Sequence, residues 1–366
     1  MLEGKTVAVV VPAYNEETQI NMVIETMPDF VDRIVVVNDN SSDQTEARVT
    51  AYFQTNYNKT DLRLEKKKIQ PNFYNQAEIM LEQINEKEAA FFTPSKIVNQ
   101  DFQNNRIILI TNLKNAGVGG SIARGYQWCK DYQIDCTAVM AGDGQMDPNE
   151  LKNICLPVVK EEVDYVKGNR LIHGSANMYI PKTRFLGNSI LSLATKIASG
   201  YWRISDTQTG YTAISLEALN AIKLHQIYKR YGMPNDMLVK LNMAYCTIRE
   251  IPIKPVYRIG EKSKMKIGSV IPKISILLIR LFFKRLWVKY FIKDFHPLFV
   301  LYNIGFILFF ASIPFAYRIL SYFFENSAGE RPILNSLMFV FLIVSSFQSL
   351  LFAMWMDIQD NERLYK

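Results

Sequence analysis

The sequence predicts an α/β domain built on a mainly parallel sheet and followed by two membrane-spanning helices. Short β-branched apolar runs alternate with helical stretches through the first part of the chain, as strands joined by crossover helices do. In a composition that is 49% hydrophobic, the apolar excess gathers after about residue 268. Two stretches there, 297–317 and 333–356, carry no charge over 21 and 24 residues. Either is long enough to cross a hydrocarbon core of roughly 30 Å at about 1.5 Å per residue.

Residues 6–12 (TVAVVVP) form a continuous β-branched run, expected of a strand buried on both faces of a parallel sheet. A helical stretch follows at about 16–27. Residues 33–39 (RIVVVND) and 107–112 (IILITN) read as the second and third strands. Residues 137–143 (TAVMAGD) read as the fourth, reached through a helix at about 120–132. Functional groups in such sheets gather at the carboxyl ends of the strands, where residues 12–16, Asp39 and Asp143 fall. Residues 52–105 interrupt the rhythm with a polar stretch that includes a helical pattern at about 75–90. This insertion reads as a solvated excursion, with a homo-oligomer or partner contact as the alternative. The resulting division is a cytosolic domain at 1–253, a basic juxtamembrane stretch at 254–293, and two spans with a short tail at 294–366.

The formal charge of +7 is local. From Lys254 to Lys293 there are eleven Lys or Arg against Glu261 alone, which leaves the rest of the chain at about −3. A nucleic-acid-binding protein spreads its basic residues over a folded face; here they abut apolar segments, which points to anionic lipid and phosphate. Residues 268–292 read as interfacial helices whose Lys and Arg snorkel to head groups. The loop at 318–332 balances its charges, so the positive-inside rule puts both termini in the cytoplasm. The start of the chain turns polar too quickly for a signal peptide. Cys129, Cys136, Cys155 and Cys246 lack CxxC pairing and read as reduced thiols. His173, His225 and His296 have no metal-ligand spacing, and His296, beside Pro297, reads as interfacial.

Hard divalent cations take carboxylate and carbonyl oxygens. The turn Gly142-Asp143-Gly144-Gln145 offers one of each past a strand end, with Asp147 close behind. Glycines there let the backbone approach a ligand closely. Together with Pro12-Ala13-Tyr14-Asn15-Glu16 and Asn38-Asp39, this turn resembles family-2 glycosyltransferases of the glycosyltransferase A fold, a Rossmann-like α/β architecture. More narrowly it resembles the dolichol-phosphate mannose synthase branch, the polyprenyl-phosphate glycosyltransferases. Residues 115–125 (NAGVGGSIARG), Gly168-Asn169-Arg170, 206–210 (DTQTG) and 258–264 (RIGEKSK) are similar to further motifs of that branch, in the same order.

The resemblance implies a nucleotide-sugar donor, a polyprenyl phosphate acceptor and Mg²⁺ or Mn²⁺. It places Pro12, Tyr14, Glu16 and Asp39 on the nucleoside and Asp143 and Gln145 on the metal and diphosphate. It adds Arg258 and Lys264, from the basic loop, on the donor side. Ala141 replaces the first carboxylate of the family's Asp-x-Asp-x-Gln, and Asn38 one of an acidic pair. Arg170, Arg184 and Asn188 resemble the residues that receive the acceptor phosphate, for which the guanidinium fork is well suited. Asp206 is expected as a base or an orienting carboxylate. The implied reaction is inverting hexose transfer from a UDP- or GDP-sugar to undecaprenyl or dolichyl phosphate. The alternatives are a hydroxyl acceptor on a membrane lipid, which needs a carboxylate base, and a degenerate nucleotide-sugar-binding scaffold.

Overall fold

The computed structural model describes residues 1–60, 62–66, 70–100, 102–172, 174, 182–256, 267–324 and 333–366. Its centre is an eight-stranded sheet in the order β3-β4-β2-β1-β5-β7-β6-β8. The strands are β1 (Val7–Ala13), β2 (Arg33–Asn38), β3 (Ser95–Ile97), β4 (Ile107–Asn112), β5 (Cys136–Val139), β6 (Tyr165–Asn169), β7 (Thr212–Ser215) and β8 (Ile248–Pro252). The run β4-β2-β1-β5 is parallel. β7 lies antiparallel between β5 and β6, and β8 closes that edge parallel to β6.

Successive side chains on a strand point to opposite faces. Val7, Val9 and Val11 accordingly join one core with Ile34, Val36, Ile107 and Leu109, while Ala8 and Val10 join the other with Val35, Val37, Ile108 and Ile110. Both faces are therefore dry, as the unbroken β-branched runs require. Helices α1 (Ile20–Glu25), α2 (Thr45–Thr50) and α3 (Gln76–Ala89) precede α4 (Val118–Asp131) and α5 (Leu151–Lys160). Gly125 of α4 lies so close to β1 that an added Cβ would sit 2.4 Å from Val10 Cγ1. That contact seats the helix on the sheet.

The polar stretch at 52–105 holds α3 and then β3, which adds antiparallel to β4 at the sheet edge. The insertion is fastened by side chains: Glu88 of α3 stands 3.1 Å from the His225 imidazole, and Lys130 donates to Asn85 at 3.1 Å.

Helices α6 (Lys182–Ser199), α7 (Leu216–Ala221), α8 (Met233–Met243) and α9 (Ile267–Trp287) lead to α10 (Pro297–Phe324) and α11 (Ile333–Glu362). The last two are long and apolar enough to cross a membrane. They meet closely where Ser346 donates to the Gly305 carbonyl at 2.8 Å. A Cβ on Gly305 would stand 2.7 Å from Leu350, and small residues of this kind let membrane helices approach. Helix α11 outruns its charge-free span at its C-terminal end, where Asp357 and Asn361 are buried against protein.

For two of the charges in 268–292 the structure corrects the expectation of snorkelling. Arg285 and Lys289 are buried. Arg285 grips Asp357 of α11 through two bonds of 2.7 and 2.8 Å, and Lys289 donates to Asn361 at 2.6 Å. The burial cost is offset by opposite charges from the far end of the chain, which no local pattern reveals. Ile274, Leu278, Leu281 and Phe282 of α9 pack into a third core with Ala198 of α6 and Val239 of α8, leaving Lys273, Arg280 and Lys284 exposed. His296 Nδ1 accepts from Leu298 N at 3.3 Å and caps the start of α10. Residues 364–366 return to the central sheet, where Ile248 N donates to the Leu364 carbonyl at 2.7 Å.

Candidate active site

The strand ends of the parallel core are laced together. Asp39 N donates to the Ala13 carbonyl at 2.8 Å and Gly142 N to the Pro12 carbonyl at 3.1 Å. The loop after β1 turns on Asn15, whose φ of 53° is left-handed, and locks onto the loop after β2. Asn15 N donates to Ser41 Oγ at 3.0 Å and Glu16 N to Thr45 Oγ1 at 2.9 Å. Tyr14 stays 41% exposed beside this pair of loops.

Asp39 is deeply buried and bound. Its carboxylate accepts from Ala116 N at 2.7 Å, Gly117 N at 2.8 Å and Asn112 Nδ2 at 2.9 Å. It therefore fixes the glycine-rich segment. The glycines serve close packing there: added Cβ atoms would stand 2.3 Å from the Lys229 carbonyl at Gly117 and 2.0 Å from the Tyr228 carbonyl at Gly119. The Lys229 carbonyl takes the Gly119 amide at 3.0 Å, which occupies the first donors of α4.

A cleft of about 190 Å³ opens past β5 and collects Asp143, Gln145, Asp147, Arg170, Thr209 and Lys254. Gln145 N donates to Asp143 Oδ1 at 3.1 Å, which folds the turn so that both side chains meet the cleft. Asp147 is engaged as a cap, accepting from Asn149 N at 2.9 Å, and stands 3.9 Å from Lys254 Nζ. The donor set is all oxygen. Among the described residues no cluster of three His, Cys, Asp or Glu could cage an ion by itself. The oxygen chemistry of Asp143 and Gln145 is of the kind Mg²⁺ or Mn²⁺ takes.

Arg170 forms the other wall, with Asp206 buried behind it. Arg170 Nε donates to Asp206 Oδ2 at 2.8 Å and Nη2 to Oδ1 at 3.1 Å, and Arg170 N adds a third bond at 3.1 Å. Asp206 is fully buried, which alone would raise its pKa, but the Arg170 charge and hydrogen bonds hold it below the ordinary carboxylate value. Of its two expected roles, this geometry fits the orienting carboxylate. Beneath the pair lie Lys167 and Glu250, neither legible as a site residue in the sequence. Burial pushes the Lys167 ammonium down to about 8, opposed by Asp206 and Glu250. Burial raises Glu250, opposed by the amides of Ser205 and Asp206 and by Asn169. A lysine within the strand YVKGN was the available signal.

The structure thus brings Asp143, Gln145 and Arg170 to one cleft with Asp206 behind it, while Pro12, Tyr14, Glu16 and Asp39 lie at the neighbouring strand ends. Arg184 and Asn188 fall on α6, with side chains outside the described residues; Arg258 and Lys264 lie outside them altogether, as does His173.

The family described as glycosyl transferase family 2 matches residues 8–77 and 94–223, more than half of the chain. The chain belongs to this family and is a glycosyltransferase. Its parallel core with an antiparallel flank is a glycosyltransferase A fold. Its relatives include the UDP-N-acetylglucosamine–dolichyl-phosphate N-acetylglucosaminyltransferase of Methanococcus voltae, 27% identical over 70% of this chain and 88% of that one. The dolichyl-phosphate β-glucosyltransferase ALG5C of Trichomonas vaginalis is 26% identical over 78% of this chain and 73% of its own. Among solved structures, glucosyl-3-phosphoglycerate synthase from Mycobacterium tuberculosis, crystallised with Mn²⁺ and UDP, aligns over 77% of this chain and 80% of that chain. Its TM-score is 0.46 at 16% identity.

Proposed function

We propose that this glycosyltransferase transfers a hexose, with inversion, from a UDP- or GDP-sugar to a polyprenyl phosphate at the cytoplasmic face of a membrane. The observation that carries this reading is the two-sided cleft: oxygen ligands at Asp143 and Gln145 on one wall, and Arg170, oriented by Asp206, on the other. Relatives named as acting on dolichyl phosphate support it.

Asp143 and Gln145 would hold the divalent cation, which when bound neutralises charge on the departing diphosphate. Tyr14 and the interlocked loops at 14–17 and 41–45 bound the nucleoside side. Arg170 presents its guanidinium to the acceptor phosphate and, with Arg184, offsets the second anion in the cleft. A phosphate monoester is already largely anionic at neutral pH, so its oxygen can attack without a protein base. This suits Asp206, whose two oxygens are committed to Arg170. A hydroxyl acceptor would need a carboxylate able to take its proton.

The two apolar helices anchor the enzyme. Residues 364–366 pack on β8, so the end of α11 and the catalytic domain share one side of the membrane. Exposed Lys273, Arg280 and Lys284 support reading that side as the cytoplasmic one, through the positive-inside rule.

The test is a screen of UDP- and GDP-sugars with the full chain in detergent, offered polyprenyl phosphate and, separately, diacylglycerol. Lipid-linked sugar is expected with the phosphate. Turnover only with the hydroxyl lipid would refute the acceptor assignment.

A further inference from the structure

We infer that Glu250 is the positioning residue that sets Arg170 toward the acceptor, an inference that rests on the reading of Arg170 as the acceptor-phosphate group. Glu250 lies on β8 directly opposite Lys167 of β6 in the parallel ladder, so the two share a face of the sheet. Three N–H donors converge on its carboxylate. Ser205 N and Asp206 N donate to Oε1 at 2.9 and 3.0 Å, and Asn169 Nδ2 donates to Oε2 at 2.7 Å.

These bonds pin both segments that flank Arg170. On one side the amides of Ser205 and Asp206 fix the backbone carrying Asp206. On the other, Asn169 turns its Oδ1 to Leu171 N at 2.8 Å and Ile172 N at 3.2 Å, which holds the chain just past Arg170. The guanidinium is thus clamped by a carboxylate whose own position Glu250 dictates. Only an ionised carboxylate accepts everywhere and donates nowhere, and three donors meet here. Charge makes the same demand. Lys167 and Arg170 bring two cations into this buried cluster, and Asp206 supplies one anion; Glu250 supplies the second. Lys167, whose ammonium donates to the Thr209 carbonyl, would otherwise pull on Asp206 and weaken its hold on Arg170.

The test is a double-mutant cycle in the full-length protein in detergent, with undecaprenyl phosphate titrated and nucleotide-sugar binding measured separately. Glu250→Gln puts an NH₂ against a donor. It is expected to raise the lipid KM about tenfold, the loss of one charge-assisted hydrogen bond, while the nucleotide-sugar Kd is unchanged. In an Arg170→Ala background, Glu250→Gln should add nothing further, because residues that act through one another are non-additive. Additive effects, or an equal weakening of nucleotide-sugar binding, would overturn the inference and leave Glu250 a general support. If Glu250→Gln lowers the unfolding midpoint too far to assay, Asn169→Ser removes one arm of the clamp and is read in the same cycle. If Arg170→Ala itself leaves the lipid KM unchanged, the acceptor reading fails. If it raises KM and Glu250→Gln does not, only the positioning inference fails.

Discussion

Arg285→Met tests whether the membrane hairpin and the catalytic domain are joined by one buried ion pair. Arg285 and Asp357 are 1% and 0% exposed, and they meet through bonds of 2.7 and 2.8 Å. Arg285 Nε and Nη2 also donate to the Ala198 and Ile197 carbonyls at 2.9 and 3.1 Å. These carbonyls sit at the end of α6, where a cation is favoured by the helix dipole. Removing the guanidinium strands the Asp357 charge, leaving it with Tyr290 Oη at 2.8 Å, Asn361 Nδ2 at 2.9 Å and Trp202 Nε1 at 3.4 Å. Breaking a buried pair from one side costs about 3–5 kcal/mol, whereas replacing both members with apolar groups is often nearly neutral. At about 2–4 °C per kcal/mol for larger domains, the single variant should lose roughly 6–20 °C in unfolding midpoint. The double variant Arg285→Met/Asp357→Leu should recover most of it. Trp202, whose indole lies 3.4 Å from Asp357, supplies a local fluorescence signal for the melt. A single variant within about 2 °C of wild type, or a double variant no better than the single, would refute the reasoning.

Asp143→Asn should remove most turnover while the unfolding midpoint holds, and EDTA should mimic it; undiminished activity in either would exclude the metal role. A cysteine at Asn326, between the spans, should label from outside intact cells, and one at Arg363 only after permeabilisation. The native cysteines are all buried, and burial pushes the Cys129 and Cys246 thiols up to about 12, so background should be low; swapped labelling would reverse the proposed orientation. Lys167 keeps its proton only up to about pH 8, so lipid-dependent turnover should fall as pH rises through that value. Lys167→Arg should move the limb upward, and an unmoved limb would separate Lys167 from the acceptor wall.

How much of this was legible in the sequence depended on whether the controlling partner was local. The parallel core was readable because strands dry on both faces must be continuous apolar runs, and β4 spans the expected residues 107–112. β7 escaped because four residues, TAIS, carry no period; it forms only because β5 and β6 flank it. The motif positions of the site were legible, since each is a strand end or turn with its own residue signature. Their pairing was not. Asp206 lies 36 residues from Arg170 and Glu250 lies 44 beyond Asp206, and only the fold joins them. Arg285 failed for the same reason: a basic residue beside apolar neighbours reads as snorkelling unless Asp357, 72 residues on, is known to stand over it.

That distant pairing also connects the two apolar helices to the proposed acceptor wall. Arg285, tied to Asp357 of the second apolar helix, holds the carbonyls of Ile197 and Ala198 on α6. Ser192 of the same helix meets Thr207 at 3.2 Å, one residue past Asp206, which orients Arg170. From Ser192 to Ile197 is under two turns of helix, about 8 Å at 1.5 Å per residue. The apolar helices and the proposed acceptor wall are thus linked through a short rigid element and the polar contacts at Arg285 and Ser192. Loosening the anchor at Arg285 should therefore raise the lipid requirement before it touches nucleotide-sugar binding. If the donor Kd weakens first, the acceptor wall is not what the anchor holds in place.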